Sequence, residues 1–255
     1  MIVKSIIKGP SAIEKFLPEG ERDFLNISEF FFDTIQGEGI NIGHPAAFLR
    51  LKGCTQNCTW CDSKEVWRFG DPYTFDELIK YIEDSGLAFK LQKGQHLVLT
   101  GGSPLLQQNR LKNFLPFLIA DLGFKPYIEI ENECVLKPDP VLVGLIDCWN
   151  NSPKLSNSEV PFERRYKPQV IQYTASLPNS WFKFVVSNDD DWNEIETGFL
   201  LPGLIKRNQI ILMPQGATRA ELELNQSIVV DMAIEYGVRY SSREHVAIWD
   251  KATGI

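Results

Sequence analysis

The chain has 255 residues, with 26 Lys and Arg against 33 Asp and Glu, and its formal net charge is −7 at pH 7. Its composition, 44% hydrophobic and 23% charged, excludes collagen, a coiled coil and a wholly disordered chain. The acidic balance argues against a strongly basic nucleic-acid binder, so we expect no direct nucleic-acid partner. No apolar run approaches the roughly 18 residues that cross a bilayer, and the N-terminus does not resemble a secretory signal. We therefore expect a cytoplasmic protein without membrane contact.

Strands alternate with helices along the chain. We predict strands at 46–51, 96–100, 127–131, 142–146, 181–187, 209–213 and 238–240, and helices at 74–85, 105–122 and 218–236. Thr74 followed by Glu77 is a capping-box pattern, and Gly237 ends the last helix. The polar segment 153–168 predicts a long loop. Residues 1–26 precede this pattern and are interpreted as an extension to a single domain at 27–255.

This alternation predicts an α/β fold with a parallel sheet. About six βα units suit a partial (βα)6-type barrel, and a flat doubly wound sheet is the alternative. In both folds, sites lie at the carboxyl ends of the strands. The residues that follow predicted strands are a cysteine-rich loop, Gly101-Gly102, Glu131-Asn132 and 213–216.

Three of the five cysteines occur within eight residues, in the pattern Cys54-x3-Cys58-x2-Cys61. Three thiolates on one loop can hold three irons of a [4Fe–4S] cluster, leaving the fourth iron open to the amino and carboxylate groups of S-adenosylmethionine. A zinc site is the alternative, with Cys134 or Cys148 as the fourth ligand, although we expect these two as core thiols. Trp60 lies inside the motif, and it could either shield a cluster from solvent or simply pack against neighbouring side chains.

The residues around this loop resemble a known family. TIQGEG at 34–39, PAAFLRL at 45–51, Gly53-Cys54 and WCDS at 60–63 are similar to the radical S-adenosylmethionine superfamily and, within it, to the 7-carboxy-7-deazaguanine synthase (QueE) family. The resemblance continues more weakly at 100–102, 131–133, 152–155 and 243–245. It covers roughly residues 28–255.

The resemblance implies a lyase that converts 6-carboxy-5,6,7,8-tetrahydropterin to 7-carboxy-7-deazaguanine by radical ring contraction with loss of ammonia. It also implies a barrel of the radical S-adenosylmethionine type, a [4Fe–4S] cluster, reusable S-adenosylmethionine, Mg²⁺, a homodimer, and an electron donor such as flavodoxin or ferredoxin. The product could enter queuosine-type tRNA modification or modified DNA bases. The cysteine triplet alone also allows a glycyl-radical activase or a non-enzymatic metal-binding scaffold.

The resemblance further implies which residues bind substrate: Ile35, Gln36, Gly37, Glu38, Arg50 and Thr100. Planar groups at Gln36 and Glu38 could meet the pyrimidine edge of a pterin, and Arg50 could hold its carboxylate bidentately. A plain turn at 34–39 and a structural ion pair of Arg50 are the alternatives.

The residues expected to bind S-adenosylmethionine are Gly102, Ser103, Glu131, Asn132, Ser152 and Lys154. A strand-end salt bridge is the alternative for Glu131. Ser63 is expected to bind Mg²⁺ through its hydroxyl, with helix capping as the alternative. Two positions depart from the family pattern: Ser103 stands where Glu is common (TGGSP for TGGEP), and Glu131-Asn132-Glu133-Cys134 replaces a neutral turn. The role of His245 stays open.

Overall fold

The computed structural model describes residues 4–8 and 23–251. Its strands are β1 Lys4–Lys8, β2 Phe24–Ile35, β3 Pro45–Leu51, β4 Asp71–Thr74, β5 His96–Gly101, β6 Ile128–Asn132, β7 Cys148–Asn151, β8 Ser180–Val186, β9 Ile210–Pro214 and β10 Arg239–Tyr240. Its helices are α1 Lys64–Trp67, α2 Phe75–Asp84, α3 Leu87–Gln92, α4 Gln108–Leu122, α5 Pro140–Val143, α6 Phe162–Arg165, α7 Pro168–Ala175, α8 Asp189–Ile195, α9 Arg219–Tyr236 and α10 Glu244–Trp249.

The described strands form one mixed sheet in the order β1-β2-β3-β5-β6-β7-β8-β9-β10, with β4 paired to β2. Every neighbouring pair from β3 to β10 is parallel. This order follows the chain without a reversal, whereas a doubly wound sheet reverses at a switch point. The partial barrel is therefore confirmed and the flat alternative is wrong. In the described residues the sheet is open, with β1 and β10 at its two ends.

Two apolar clusters form the core. One lies between β2, β3, β5, β6 and the helices α2 and α4, with Phe114 and Trp149 among its largest buried side chains. The other joins β8 and β9 to α8 and α9, around Phe184 and Phe199. Both clusters fix the strands on which the site is built. No described helix combines the length and the apolar character needed to cross a membrane.

The predicted strand at 142–146 is wrong. Asp139 caps α5, its side chain accepting the Val141 amide at 2.8 Å, and Pro140 occupies the first helical position. The strand forms later, as β7, where Asn151 is buried and its Nδ2 donates to Ser180 Oγ at 2.8 Å. The side-chain amides of Asn150 and Asn151 interrupt the apolar pattern that indicates a buried strand. The pattern therefore predicts a strand at the nearby apolar run, 142–146, where the structure has α5.

Three further regions compare as follows. Strand β2 was not predicted. The helix predicted at 105–122 begins with a 3-10 turn, and the loop at 153–168 contains the short α6. Of the predicted N-terminal extension, residues 1–3 and 9–22 lie outside the described residues. Residues 4–8 pair antiparallel with β2 as an additional strand, and residues 24–26 belong to β2 itself.

Candidate active site

The cysteine loop joins β3 to α1 at the carboxyl end of the parallel strands. Cys54, Cys58 and Cys61 are free thiols, and all three line one cavity of about 670 Å³. This volume is in the usual range for a site that takes one or two small molecules. The other walls come from the ends of β2, β5, β6, β8 and β9 and from the C-terminal segment, so the site is assembled from the whole length of the chain.

The loop is held against the end of β5. The Ser103 amide donates to the Gly53 carbonyl at 2.9 Å, and Ser103 Oγ accepts the Thr55 amide at 2.9 Å. A Cβ on Gly102 would lie 2.3 Å from Cys54 Cβ, so only glycine allows this close approach. Gly102 lines the cavity, whereas Ser103 is fully buried behind the loop and does not.

Two indoles flank the thiols. Trp60 lines the cavity and donates its Nε1–H to the Asn157 carbonyl at 3.0 Å. Trp67 donates its Nε1–H to Cys61 Sγ at 3.4 Å, a contact that the sequence did not reveal. Burial raises the pKa of Cys58, and the positive charge of Lys154 opposes that rise. Cys58 is therefore buried with one cation nearby, whereas Cys54 Sγ accepts the amides of Gln56 and Asn57.

Arg50 enters the cavity from β3, and its Nε donates to Glu29 Oε1 at 2.6 Å. Burial acts to lower the pKa of Arg50, but Glu29, Glu131 and Asp62 raise it above its ordinary value, so it is charged. Among the described residues, its Nη atoms make no hydrogen bond. Arg50 is thus both an ion-pair residue and a cavity residue with donors left for an anion.

Gln36 is buried and lines the cavity, and its Nε2 makes no hydrogen bond to any described residue. Its Oε1 accepts the Glu38 amide at 3.3 Å. A Cβ on Gly37 would lie 2.0 Å from His245 Nδ1, and the Gly37 carbonyl accepts the Glu244 amide at 2.8 Å. The TIQGEG loop therefore packs against the C-terminal segment, and the side-chain amide of Gln36, a residue of the cavity wall, has no acceptor among the described residues.

Glu38 is the centre of a buried charge network. Lys183 Nζ donates to its Oε2, and Arg243 Nε donates to its Oε1 at 2.9 Å. His245 Nε2 lies 3.8 Å from Glu38 Oε1, and Arg243 also pairs with Asp62. Burial alone would raise the pKa of Glu38, but Lys183, Arg243 and His245 hold it well below its usual range. Burial lowers the pKa of His245 despite the nearby Glu38, so its imidazole is neutral at neutral pH.

The carboxyl ends of β5, β6 and β7 form a second part of the cavity wall, next to Arg50 on β3. Thr100 Oγ1 donates to Glu131 Oε2 at 2.9 Å, and Lys154 Nζ donates to Ser152 Oγ at 2.8 Å. Asn132 lines the cavity and binds Asn151 Oδ1 through its Nδ2 at 2.9 Å. This wall offers hydroxyl, carboxylate, amide and ammonium groups to a polar ligand.

Comparison with known proteins adds evidence for the family. A family model described as "4Fe-4S single cluster domain" matches residues 35–122. A 7-carboxy-7-deazaguanine synthase of Pyrobaculum aerophilum is 37% identical over 225 residues, covering 88% of this chain and 94% of the relative. One of Halobacterium salinarum is 31% identical, covering 91% of this chain and 93% of the relative. The chain belongs to the 7-carboxy-7-deazaguanine synthase family.

The fold agrees with this family. The crystal structure of QueE from Escherichia coli matches with a TM-score of 0.64 at 22% identity, over 88% of this chain and 96% of that one. Membership in the 7-carboxy-7-deazaguanine synthase family distinguishes between the three hypotheses that the cysteine triplet allowed. It favours the lyase over a glycyl-radical activase or a metal-binding scaffold.

The cavity fits the cofactors expected for the 7-carboxy-7-deazaguanine synthase family. Its loop supplies three free thiols, the donors that an iron–sulfur cluster requires. The described residues contain no preformed group of three metal-binding side chains, so this fit depends on donor chemistry. Cys134 and Cys148 are fully buried and do not line the cavity, in agreement with their predicted place in the core, and burial raises the pKa of both.

The structure places all the residues predicted for binding in this cavity wall except Ser103: Ile35, Gln36, Gly37, Glu38, Arg50, Thr100, Gly102, Glu131, Asn132, Ser152, Lys154, Cys54, Cys58, Cys61 and Ser63. Ser63 stands at the N-cap of α1, but its side chain makes no capping hydrogen bond. Sequence reasoning missed Glu29, Trp67, Lys183 and Arg243. Lys183 had a signal, because a lysine inside an apolar strand needs a buried partner.

Proposed function

We propose that this protein converts 6-carboxy-5,6,7,8-tetrahydropterin to 7-carboxy-7-deazaguanine with release of ammonia, in 7-deazapurine biosynthesis. The observation that supports this most is that three free thiols line the same cavity as Arg50, which bonds Glu29 through Nε, and Gln36, whose Nε2 has no partner among the described residues. A [4Fe–4S] cluster and S-adenosylmethionine are the cofactors of this reaction, and together they supply the 5′-deoxyadenosyl radical. The chain's own residues bind and orient the reactants and exclude water.

The substrate is a flat, polar pterin with one carboxylate. In this proposal the Arg50 guanidinium binds that carboxylate through its Nη groups, while Glu29 holds Nε and so fixes the plane of the fork. Gln36 Nε2 donates to the pyrimidine edge. Glu38 is already bound by Lys183 and Arg243, so it acts by ordering the C-terminal segment over the substrate.

The part of the wall formed by the ends of β6 and β7 binds S-adenosylmethionine. Glu131 and Asn132 suit the ribose hydroxyls, and Ser152 with Lys154 suits the methionyl carboxylate. Trp60 would shield a cluster held by the cysteine loop, and Lys154 Nζ lies 5.5 Å from the centroid of its indole. We further propose that the Ser63 hydroxyl binds Mg²⁺ together with substrate oxygens and water.

We also propose a homodimer in the cytoplasm, reduced by a small electron carrier such as flavodoxin or ferredoxin. The three cysteines must stay reduced to hold a cluster, and the cytoplasm keeps thiols reduced. The product could serve tRNA queuosine-type modification or modified DNA bases. Sedimentation of the protein with its cluster assembled tests the dimer.

The decisive experiment is anaerobic reconstitution followed by turnover. Protein with about four irons per chain is incubated with the pterin, S-adenosylmethionine, Mg²⁺ and dithionite. The expected result is 7-carboxy-7-deazaguanine by mass spectrometry with one ammonia per product, and none with Cys58→Ala. Protein with a full cluster that cleaves S-adenosylmethionine but leaves the pterin unchanged would contradict the proposed substrate.

A further inference from the structure

Glu133 is a buried carboxylate in the cavity wall, just beyond the end of β6. Its residue is 5% exposed. Its Oε1 accepts the Thr55 hydroxyl at 2.9 Å, whereas its Oε2 is buried and accepts no hydrogen bond from any described residue. Burial raises the pKa of Glu133, and its own amide, the Thr55 and Ser103 hydroxyls and Lys154 oppose the rise. A carboxylate oxygen left without a donor in a cavity wall indicates a ligand that supplies one.

Glu133 is tied directly to the cysteine loop. Thr55 follows Cys54, and its hydroxyl lies 3.1 Å from Ser103 Oγ and 2.9 Å from Glu133 Oε1. The two positions that depart from the family pattern, the missing carboxylate at Ser103 and the additional one at Glu133, therefore meet at Thr55. The carboxylate that the family has at position 103, after β5, is missing here, and Glu133, after β6, supplies a carboxylate beside the same loop.

The chemistry of the wall limits which donor Glu133 can take. When a cluster is bound, the three cysteines of the adjoining loop are thiolates, which makes a further anion beside Glu133 unfavourable and favours a cation. Lys154 is a cation whose charge acts on Glu133, but its Nζ donates to Ser152 Oγ at 2.8 Å and makes no hydrogen bond to Glu133 Oε2. An ammonium group brought by a ligand has three N–H donors and the complementary charge.

We propose that Glu133 binds the α-ammonium group of S-adenosylmethionine, in place of a carboxylate at position 103. The proposal rests on the proposed function, because it requires that S-adenosylmethionine occupies this cavity. Lys154, on the same wall, is then left to the carboxylate of the same methionyl group. Glu133 thus determines recognition of the amino-acid part of the cofactor and has no part in recognising its adenosine.

The test compares two unreactive ligands that differ in the aminocarboxypropyl group. S-adenosylhomocysteine carries the ammonium and methylthioadenosine lacks it. Dissociation constants of both are measured anaerobically by equilibrium dialysis with cluster-loaded protein, for the parent, Glu133→Gln and Glu133→Asp. Glutamine keeps an oxygen that accepts the Thr55 hydroxyl, so the loop contact is retained while the charge is removed. Glu129→Gln is the control, because Glu129 is a buried carboxylate on β6, four residues before Glu133, and does not line the cavity.

For Glu133→Gln we expect iron content to match the parent, affinity for S-adenosylhomocysteine to fall about 10- to 100-fold, and affinity for methylthioadenosine to stay unchanged. Glu133→Asp keeps the charge on a shorter side chain, so its affinity for S-adenosylhomocysteine should lie between that of the parent and that of Glu133→Gln. Glu129→Gln should bind both ligands as the parent does.

Two results would overturn the proposal. One is parental affinity of Glu133→Gln for S-adenosylhomocysteine. The other is that Glu133→Gln and Glu133→Asp both lose iron and lose affinity equally for the two ligands. Glu133 would then only support the cysteine loop. Failure of the proposed function differs from both. If the pterin is not the substrate, the two dissociation constants still change as expected for Glu133→Gln. If the cavity does not take S-adenosylmethionine, the cluster-loaded parent itself binds neither S-adenosylmethionine nor S-adenosylhomocysteine.

Discussion

Glu38 and Arg243 lie 205 residues apart in the sequence, and Arg243 Nε donates to Glu38 Oε1 at 2.9 Å. The same guanidinium pairs with Asp62, the residue after the last cysteine of the loop. One side chain from the C-terminal segment therefore joins the TIQGEG loop to the cysteine loop. It holds His245 and α10 against the cavity, in a fold whose described strands form an open sheet.

This relationship predicts the effect of Arg243→Gln. Asp62 would lose its ion-pair partner and Glu38 would keep only Lys183 as a charged partner, so the destabilisation should be smaller than that of breaking a fully buried pair, about 3–5 kcal/mol. We expect a lower midpoint of thermal unfolding and at least tenfold weaker binding of the pterin. Arg239→Gln is the matched control, because Arg239 is exposed on β10 and stacks on Trp181. Equal stability of the two variants would show that the network does not hold the C-terminal segment.

The pKa of Glu38 predicts how stability depends on pH. The neighbouring cations depress that pKa in the folded state below the ordinary value of 4.5. A depressed carboxyl pKa stabilises the fold fully above the unfolded pKa, and this stabilisation is lost as pH falls through the folded pKa. Urea unfolding of the protein without cluster should therefore show stability falling below about pH 4.5. Glu38→Gln should be less stable at neutral pH and should show a shallower fall. Parallel pH profiles of the two proteins would contradict this.

The cysteine assignments predict two classes of variant. Replacing Cys54, Cys58 or Cys61 by Ala should abolish the cluster absorption and reductive cleavage of S-adenosylmethionine. Cys134→Ala and Cys148→Ala should retain both, because those thiols are buried away from the cavity. Iron analysis after reconstitution is the measurement. Iron lost from Cys148→Ala and kept by Cys58→Ala would reverse the assignment.

Arg50→Ala should weaken binding of 6-carboxytetrahydropterin by about 2–5 kcal/mol, the usual cost of removing one partner of a buried charge pair. Cluster assembly and uncoupled cleavage of S-adenosylmethionine should continue. Because Arg50 also pairs with Glu29, the variant leaves that carboxylate unpaired. Arg50→Ala combined with Glu29→Gln removes this complication and should bind as weakly as Arg50→Ala. Titration of the reconstituted protein with the pterin is decisive, and an unchanged dissociation constant would remove Arg50 from the substrate site.

Ser63 lines the cavity, and its hydroxyl makes no capping hydrogen bond to α1. A Mg²⁺ ion with a single protein oxygen depends on substrate oxygens and water for the rest of its shell. Ser63→Ala should therefore lower turnover and reduce its response to added Mg²⁺, with iron content unchanged. Ser63→Thr keeps the hydroxyl and should respond as the parent does. If Ser63→Ala follows the parental Mg²⁺ curve, the ion does not bind at Ser63.

Some features could be read from the sequence because their causes are local. Thr74 and Glu77 form the predicted capping box, and Gly237 ends α9 with a positive φ of 63°. The cysteine spacing and the TIQGEG segment indicated the family, because ligands of one cluster and residues of one turn lie close along the chain. The alternation of strands and helices likewise predicted a parallel sheet.

Other features depended on contacts between distant segments, which no local pattern records. β7 contains two buried asparagines, and their side-chain amides form hydrogen bonds with residues of the neighbouring strands β6 and β8. The charges of Lys183 and Arg243 became site features only when folding brought Glu38 between them. The sequence by itself determined which chemical groups this protein has and which family it resembles. Only the tertiary structure decided that Ser103 lies behind the cysteine loop and Glu133 faces the cavity, because burial and hydrogen-bond partners depend on how the strand ends converge.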